Sequence, residues 1–259
     1  MNNEVHNEKF NGYNIRILID EDAQNPFEDW DCEPPLAVYA LYNRGITEYS
    51  TGYGEVNTIP TLTREQIKAN VPQLLEMTEC KTVRELARYG QSGIYGTVTD
   101  LITDINDGIS SHLEGMTDSD RLEALCDLYT MQGIPAVVKS VRGSSQGDYA
   151  EVLAVATLEF QEACGNASDY DWIEGLKGSI QLFEDWAFGN VYGYIVEDAN
   201  GEEVDSCWGF FGDYDAPLGA MHEAEAAINW RIACAKKEHI AQVKTWIKNR
   251  VPLHYRLAI

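Results

Sequence analysis

Carboxylates are the side chains of this sequence best placed to do chemistry, and their spacing limits what that chemistry is. Asp29, Asp31 and Glu33 alternate inside a proline-rich loop, DEDAQNPFEDWDCEPP, and Asp213 and Asp215 alternate later. Oxygen-rich clusters hold Ca²⁺ or Mg²⁺, but neither cluster follows the D-x-[DN]-x-[DN]-G order of a calcium loop, so no metal ligand is assigned. A carboxylate pair also serves glycoside hydrolysis, through a geometry that spacing alone does not fix. Asp205-Ser206-Cys207-Trp208 sets a thiol in an expected strand. Acidic neighbours disfavour the thiolate, so Cys207 reads as a small buried hydrophobe, not a nucleophile. The histidines, at 6, 112, 222, 239 and 254, have no nucleophile beside them in sequence. There is no GxxxxGK[ST], HExxH, GxSxG or strand-borne GxGxxG. No catalytic residue and no cofactor are expected.

The six cysteines, at 32, 80, 126, 164, 207 and 234, form no CxxC pair and have no histidine at ligand spacing, which argues against zinc. Free, buried structural thiols are the expectation. MNNEVHNEKF lacks a basic segment followed by an apolar run, and no run reaches the roughly 18–20 apolar residues that span a bilayer. A cytoplasmic protein without membrane contact is therefore expected. Apolar residues at 44%, with six Trp and fourteen Tyr, are enough for a real core.

Charge is the unusual quantity: 42 acids against 19 Lys and Arg give a net −23. Such a chain repels nucleic acid and attracts basic surfaces, so no direct nucleic-acid binding is expected. Salt adaptation or plain solubility accounts for the same number. The distribution is uneven. From Asp148 to Glu225 there are 18 acids and one lysine, Lys177, whereas Arg231 to Ile259 holds seven Lys and Arg and one acid, Glu238. Glu197, Asp198, Glu202, Glu203, Asp205, Asp213 and Asp215 fall in expected strands and turns, where side chains can line one face of a sheet. That face reads either as a solvated surface or as a row of carboxylates resembling phosphates. The basic C-terminal stretch is expected to dock on the acidic sheet of its own chain, the alternative being a partner-facing tail.

Strands are expected at Tyr13–Ile19, Leu36–Tyr42 and Ile46–Tyr53. Thr63 and Gln66 fit a capping box for a helix towards Met77 that Pro72 breaks or kinks. Val83–Tyr89, a stripe from Val98 to Ile109, and Leu122–Tyr129 after a Thr117/Asp118 start complete a helical block. Strands return at Ile134–Val141 and Ala150–Thr157, and Ala167–Trp186 has helical spacing. Val191–Glu197 and Glu203–Phe210 form a hairpin through Asn200-Gly201, for which a type I′ turn is expected. Ala216–Ile247 reads as one or two helices with a buried stripe from Ala224 through Ala227, Ile228, Ile232, Ala235, Ile240 and Val243 to Ile247. Strands and helices are segregated, so the fold class is α+β: antiparallel sheets with packed helices and a helical block in the middle. Three segments follow: 1–60 with the first strands and acidic loop, 61–131 as the helical block, and 132–259 with the acidic hairpin and C-terminal helix.

GNVYGYIVEDANGEEVDSCWGFFGD (residues 189–213) resembles a segment recurrent in bacteriophage and plasmid proteins. So do ILIDEDAQNPFEDWD (17–31) and RGSSQGDYAEVLAVAT (142–157), about a quarter of the chain together; the helical block lies outside the resemblance. The resemblance carries no catalytic residues. It implies a mobile-element protein similar in character to anti-CRISPR and antirestriction inhibitors, which occupy the nucleic-acid site of a host defence complex. The expected partner is then a basic surface of a host defence complex or other nucleic-acid-binding complex. The residues expected to meet it are Asp29, Trp30, Asp31, Glu197, Asp198, Glu202, Glu203, Asp205, Asp213 and Asp215, with Trp30 as an aromatic anchor. A carboxylate-site enzyme or accessory factor of phage or plasmid metabolism is the alternative.

Overall fold

The computed structural model describes residues 3–27, 36–40, 58–78, 97–142, 149–165 and 171–250. In chain order the elements are strands β1 (Glu4–Phe10), β2 (Tyr13–Ile19) and β3 (Leu36–Ala40), then helices α1 (Arg64–Ala69), α2 (Val71–Met77), α3 (Val98–Glu114) and α4 (Asp118–Met131). Strands β4 (Ala136–Arg142) and β5 (Tyr149–Val155) and helices α5 (Leu158–Ala163) and α6 (Trp172–Ala187) follow. Strands β6 (Val191–Glu197) and β7 (Glu203–Phe211) and helix α7 (Ala220–Arg250) complete them. The fold is α+β, with two antiparallel sheets ordered β1-β2-β6-β7 and β3-β5-β4. The chain divides into two compact units, residues 1–24 with 185–259, and residues 25–184. The expected strand Ile46–Tyr53 and helix Val83–Tyr89 lie outside the described residues. Among the described residues no helix is long and apolar enough to cross a membrane.

In the unit of residues 1–24 and 185–259, two hairpins lie side by side. Asn11 and Gly12 both have positive φ, 50° and 89°, which makes the β1–β2 connection a two-residue turn of type I′ form. The β6–β7 turn is different from the one expected. Asn200 is not among the positive-φ residues, and only Gly201 is left-handed, at φ 81°. Gly201 N–H donates to Asp198 O (3.0 Å) and Asp198 N–H donates to Glu202 O (2.8 Å), a three-residue loop closed by a glycine bulge. The type I′ expectation fails because Asp198 offers its carboxylate to the Asn200 and Glu202 amides and so stabilises an Asx turn instead. One face of this sheet buries Ile15, Ile17, Tyr194 and Val196 against Ala220, Met221, Ala224 and Ile228 of α7. Each such aliphatic contributes roughly 1.5–3 kcal/mol.

The unit of residues 25–184 shows its helix starts most clearly. Thr63 accepts from Gln66 N–H while the Gln66 side chain caps Thr63 N–H, the expected capping box. Thr97 and Asp100 repeat it at α3, and Thr117 caps α4. Each cap contributes about 1 kcal/mol. The break before Pro72 falls at Asn70, which ends α1 and begins α2. A proline ring there would meet the carbonyl four residues back if one helix continued. Leu62, Leu74, Ile109, Leu113 and Leu128 fill one core. Leu122, Leu125 and Tyr129 of α4 pack with Leu153 and Val155 of β5. Strand β5 stops before Thr157 because that residue caps α5, its hydroxyl accepting from Phe160 N–H at 3.2 Å.

Candidate interaction surface

The acids singled out in the sequence are distributed by β6 and β7. Glu197, at the end of β6, is paired: Arg16 of β2 bridges it at 3.0 Å and Glu4 of β1 at 2.6 Å, so one guanidinium ties three strands together. Asn14 adds a bond to Glu197 at 3.2 Å. The Arg16 contact also holds the Glu4 carboxyl below its ordinary range.

Asp198, Glu202, Glu203 and Asp205 gather at the hairpin turn. Asp198 accepts from Asn200 N–H (2.8 Å) and Glu202 N–H (3.0 Å), and these donors, Glu202 first, hold its carboxyl below the usual carboxylate range. Glu203 accepts from the Ser206 hydroxyl (2.8 Å), and Asp205 from Ser206 N–H (2.9 Å). Among the described residues no lysine or arginine pairs with these four acids. Glu202, Glu203 and Asp205 are exposed.

Asp213 and Asp215 are also exposed, Asp213 accepting from Asp215 N–H at 3.1 Å. They follow the far end of β7, eight residues from Glu203 to Phe211 at about 3.4 Å each. The hairpin acids and this pair are therefore two separate groups. Of the 18 acids from Asp148 to Glu225, eight belong to residues 25–184 and ten to the other unit. Asp29, Trp30 and Asp31 lie outside the described residues.

Two expectations are corrected. Cys207 is exposed, not buried, in β7, which is an edge strand of its sheet. Cys126 is the inert thiol, pushed up to about 11 by burial and then by Asp127. The C-terminal stripe is buried only in its first part. Ala224 and Ile228 are covered, whereas Ala235, Ile240 and Val243 are exposed. The basic half of α7 forms no ion pair with the acidic sheet among the described residues; Arg231 instead donates to Val204 O at 3.2 Å. Trp208, which sequence reading did not single out, lies over Gly193 so closely that a Cβ there would sit 2.2 Å from the indole.

Among the described residues no three His, Cys, Asp or Glu side chains converge as a metal-binding group. A shallow, open hollow of about 430 Å³ is lined by Ala241, Gln242, Thr245, Trp246 and Asn249, none of them an ionisable acid or base. No protein family, curated protein or solved structure matches the chain.

Proposed function

We propose that this chain is a stoichiometric inhibitor, carried by a phage or plasmid, that seats its acidic hairpin on the basic nucleic-acid site of a host defence complex in the host cytoplasm. A CRISPR surveillance complex is the target class this reading favours. The carrying observation is the group Asp198, Glu202, Glu203 and Asp205, left without a cation, in which backbone and Ser206 hydrogen bonds hold the carboxylates of Asp198, Glu203 and Asp205. Fixed, uncompensated carboxylates attract a basic groove and need little reordering when they meet it. The test is inhibition of target-DNA binding by such a complex, comparing wild type with a Glu202→Gln/Glu203→Gln/Asp205→Asn variant across salt concentrations. Exposed charges are screened beyond about 8 Å at physiological ionic strength, so potency should fall with salt and fall further in the variant. Equal potency of the two proteins at every salt concentration removes the hairpin from the mechanism.

A further inference from the structure

Helix α7 outruns the sheet it packs on. Met221 N–H donates to Tyr214 O at one end of the sheet (3.0 Å). Asn229 meets Asn11 of the β1–β2 turn (3.1 Å), and Arg231 meets Val204 beside the β6–β7 turn (3.2 Å). Both turns mark the same end of the sheet, since Asn14 pairs with Glu197. Beyond that end, residues 233–250 continue for about 27 Å at 1.5 Å per residue.

The line that buries Ala224 and Ile228 runs on through Ala235, His239, Gln242 and Trp246, so beyond the sheet it is mixed in polarity. Ile240, Val243 and Ile247, at spacings of three and four, form the arm's apolar stripe about a quarter-turn round the helix, and Trp246 adjoins it three residues from Val243. Trp246 is 55% exposed and Ile240 53%. The arm is also basic: Lys236, Lys237, Lys244, Lys248 and Arg250 stand against one acid, Glu238. Arg250 lies over the Trp246 ring at 5.1 Å.

We infer that the arm is a self-association surface whose occupant is the arm of a second copy, paired antiparallel through the stripe. Overlap of the two arms brings Lys244, Lys248 and Arg250 of each copy to the other's sheet end, where Asp198, Glu202, Glu203 and Asp205 stand without a cation. The arrangement is two-fold symmetric and closed, each copy giving a basic arm end and receiving one on its acidic turn. Parallel pairing would instead stack like charges at both ends. This inference is independent of the inhibitor reading, because it concerns the free protein alone.

Sedimentation across a concentration series tests it on the full chain. Wild type should pass from one chain of 29.0 kDa to twice that mass. Trp246→Ala should weaken the dimer about tenfold or more, as loss of a central aromatic anchor does. An arm reversal, Lys244→Glu/Lys248→Glu/Arg250→Glu, and a turn reversal, Glu202→Lys/Glu203→Lys/Asp205→Lys, should each abolish it. Mixing the two reversed proteins should restore a dimer, because both contacts then pair opposite charges again. Far-ultraviolet circular dichroism confirms that each variant is folded. A wild type that stays monomeric throughout overturns the inference, and so does a mixture that fails to associate. Tight duplex DNA binding lost in the arm reversal would assign the arm to phosphate instead and equally overturn it.

Discussion

Asp198 shows how one carboxylate decides a turn. Its oxygens accept from two backbone amides and the Asn200 side chain, so the ionised form is the one the turn favours. A carboxyl depressed in the folded state contributes stability that is present above its unfolded value, near 3.9, and is lost as pH falls through the lower folded value. The Asn200 and Glu202 amide shifts should therefore titrate together with a midpoint below about 3.9, and Asp198→Ala should leave them flat. Asn200→Pro should also disturb this turn, but by removing the N–H that Asp198 accepts, not through a φ conflict. Gly193 makes the second residue-scale case. Its missing Cβ leaves the space that the Trp208 indole fills, so Gly193→Ala should cost about 1–3 kcal/mol in denaturant unfolding. In a Trp208→Ala background the same substitution should cost almost nothing, because the clash has gone; an unchanged cost would place the strain in the backbone instead.

At the scale of elements, what sequence revealed followed from how local the determining contacts are. Helix α3 was legible from its apolar spacing, and the start of α4 and the capping box at Thr63 were legible because a cap is a contact between residues three apart. Strand β1 was not recognised: EVHNEKF lacks hydrophobic alternation, and its place is fixed by Asn11-Gly12 and the ladder to β2. The dipeptide was visible, but its first strand has little side-chain pattern to announce it. Helix α5 was missed although Thr157 is its cap, because Ala150–Thr157 reads as one apolar strand. Asn106 is a long-range counterpart that no local pattern discloses. Its amide accepts from Leu62 N–H (2.8 Å) and donates to Leu62 O (3.0 Å), clamping the segment before α1 onto α3. Asn106→Leu should leave both Leu62 groups without that partner and cost about 1–3 kcal/mol in urea unfolding. Loss of less than a few tenths would mean that water replaces the clamp.

For the whole molecule, the net charge was plain in the composition, but its division was not. Sequence order runs the acids of 148–225 together, whereas folding assigns eight to one unit and ten to the other. The stripe on α7 was equally visible, yet periodicity names only the face that burial would use; coverage ends where the sheet ends. Placing the bare basic arm beside the acidic turn joins the two proposals in one consequence. If arms pair, Lys244, Lys248 and Arg250 of one copy occupy the turn acids that a basic target would use. Dimer and target then compete, and mass action sets the balance, since self-association withdraws chains from target binding as concentration rises. Trp246→Ala, less associated than wild type by this account and unchanged at the acidic turn, should inhibit target-DNA binding at lower total protein than wild type. The gap should close on dilution below the concentration at which wild type dissociates. Inhibition curves measured beside sedimentation in the same buffer decide the point. Coincident curves for two proteins that differ in association would mean that the target does not use the hairpin acids, while a wild-type curve lying below that of the variant would mean that the dimer itself is the inhibitory form.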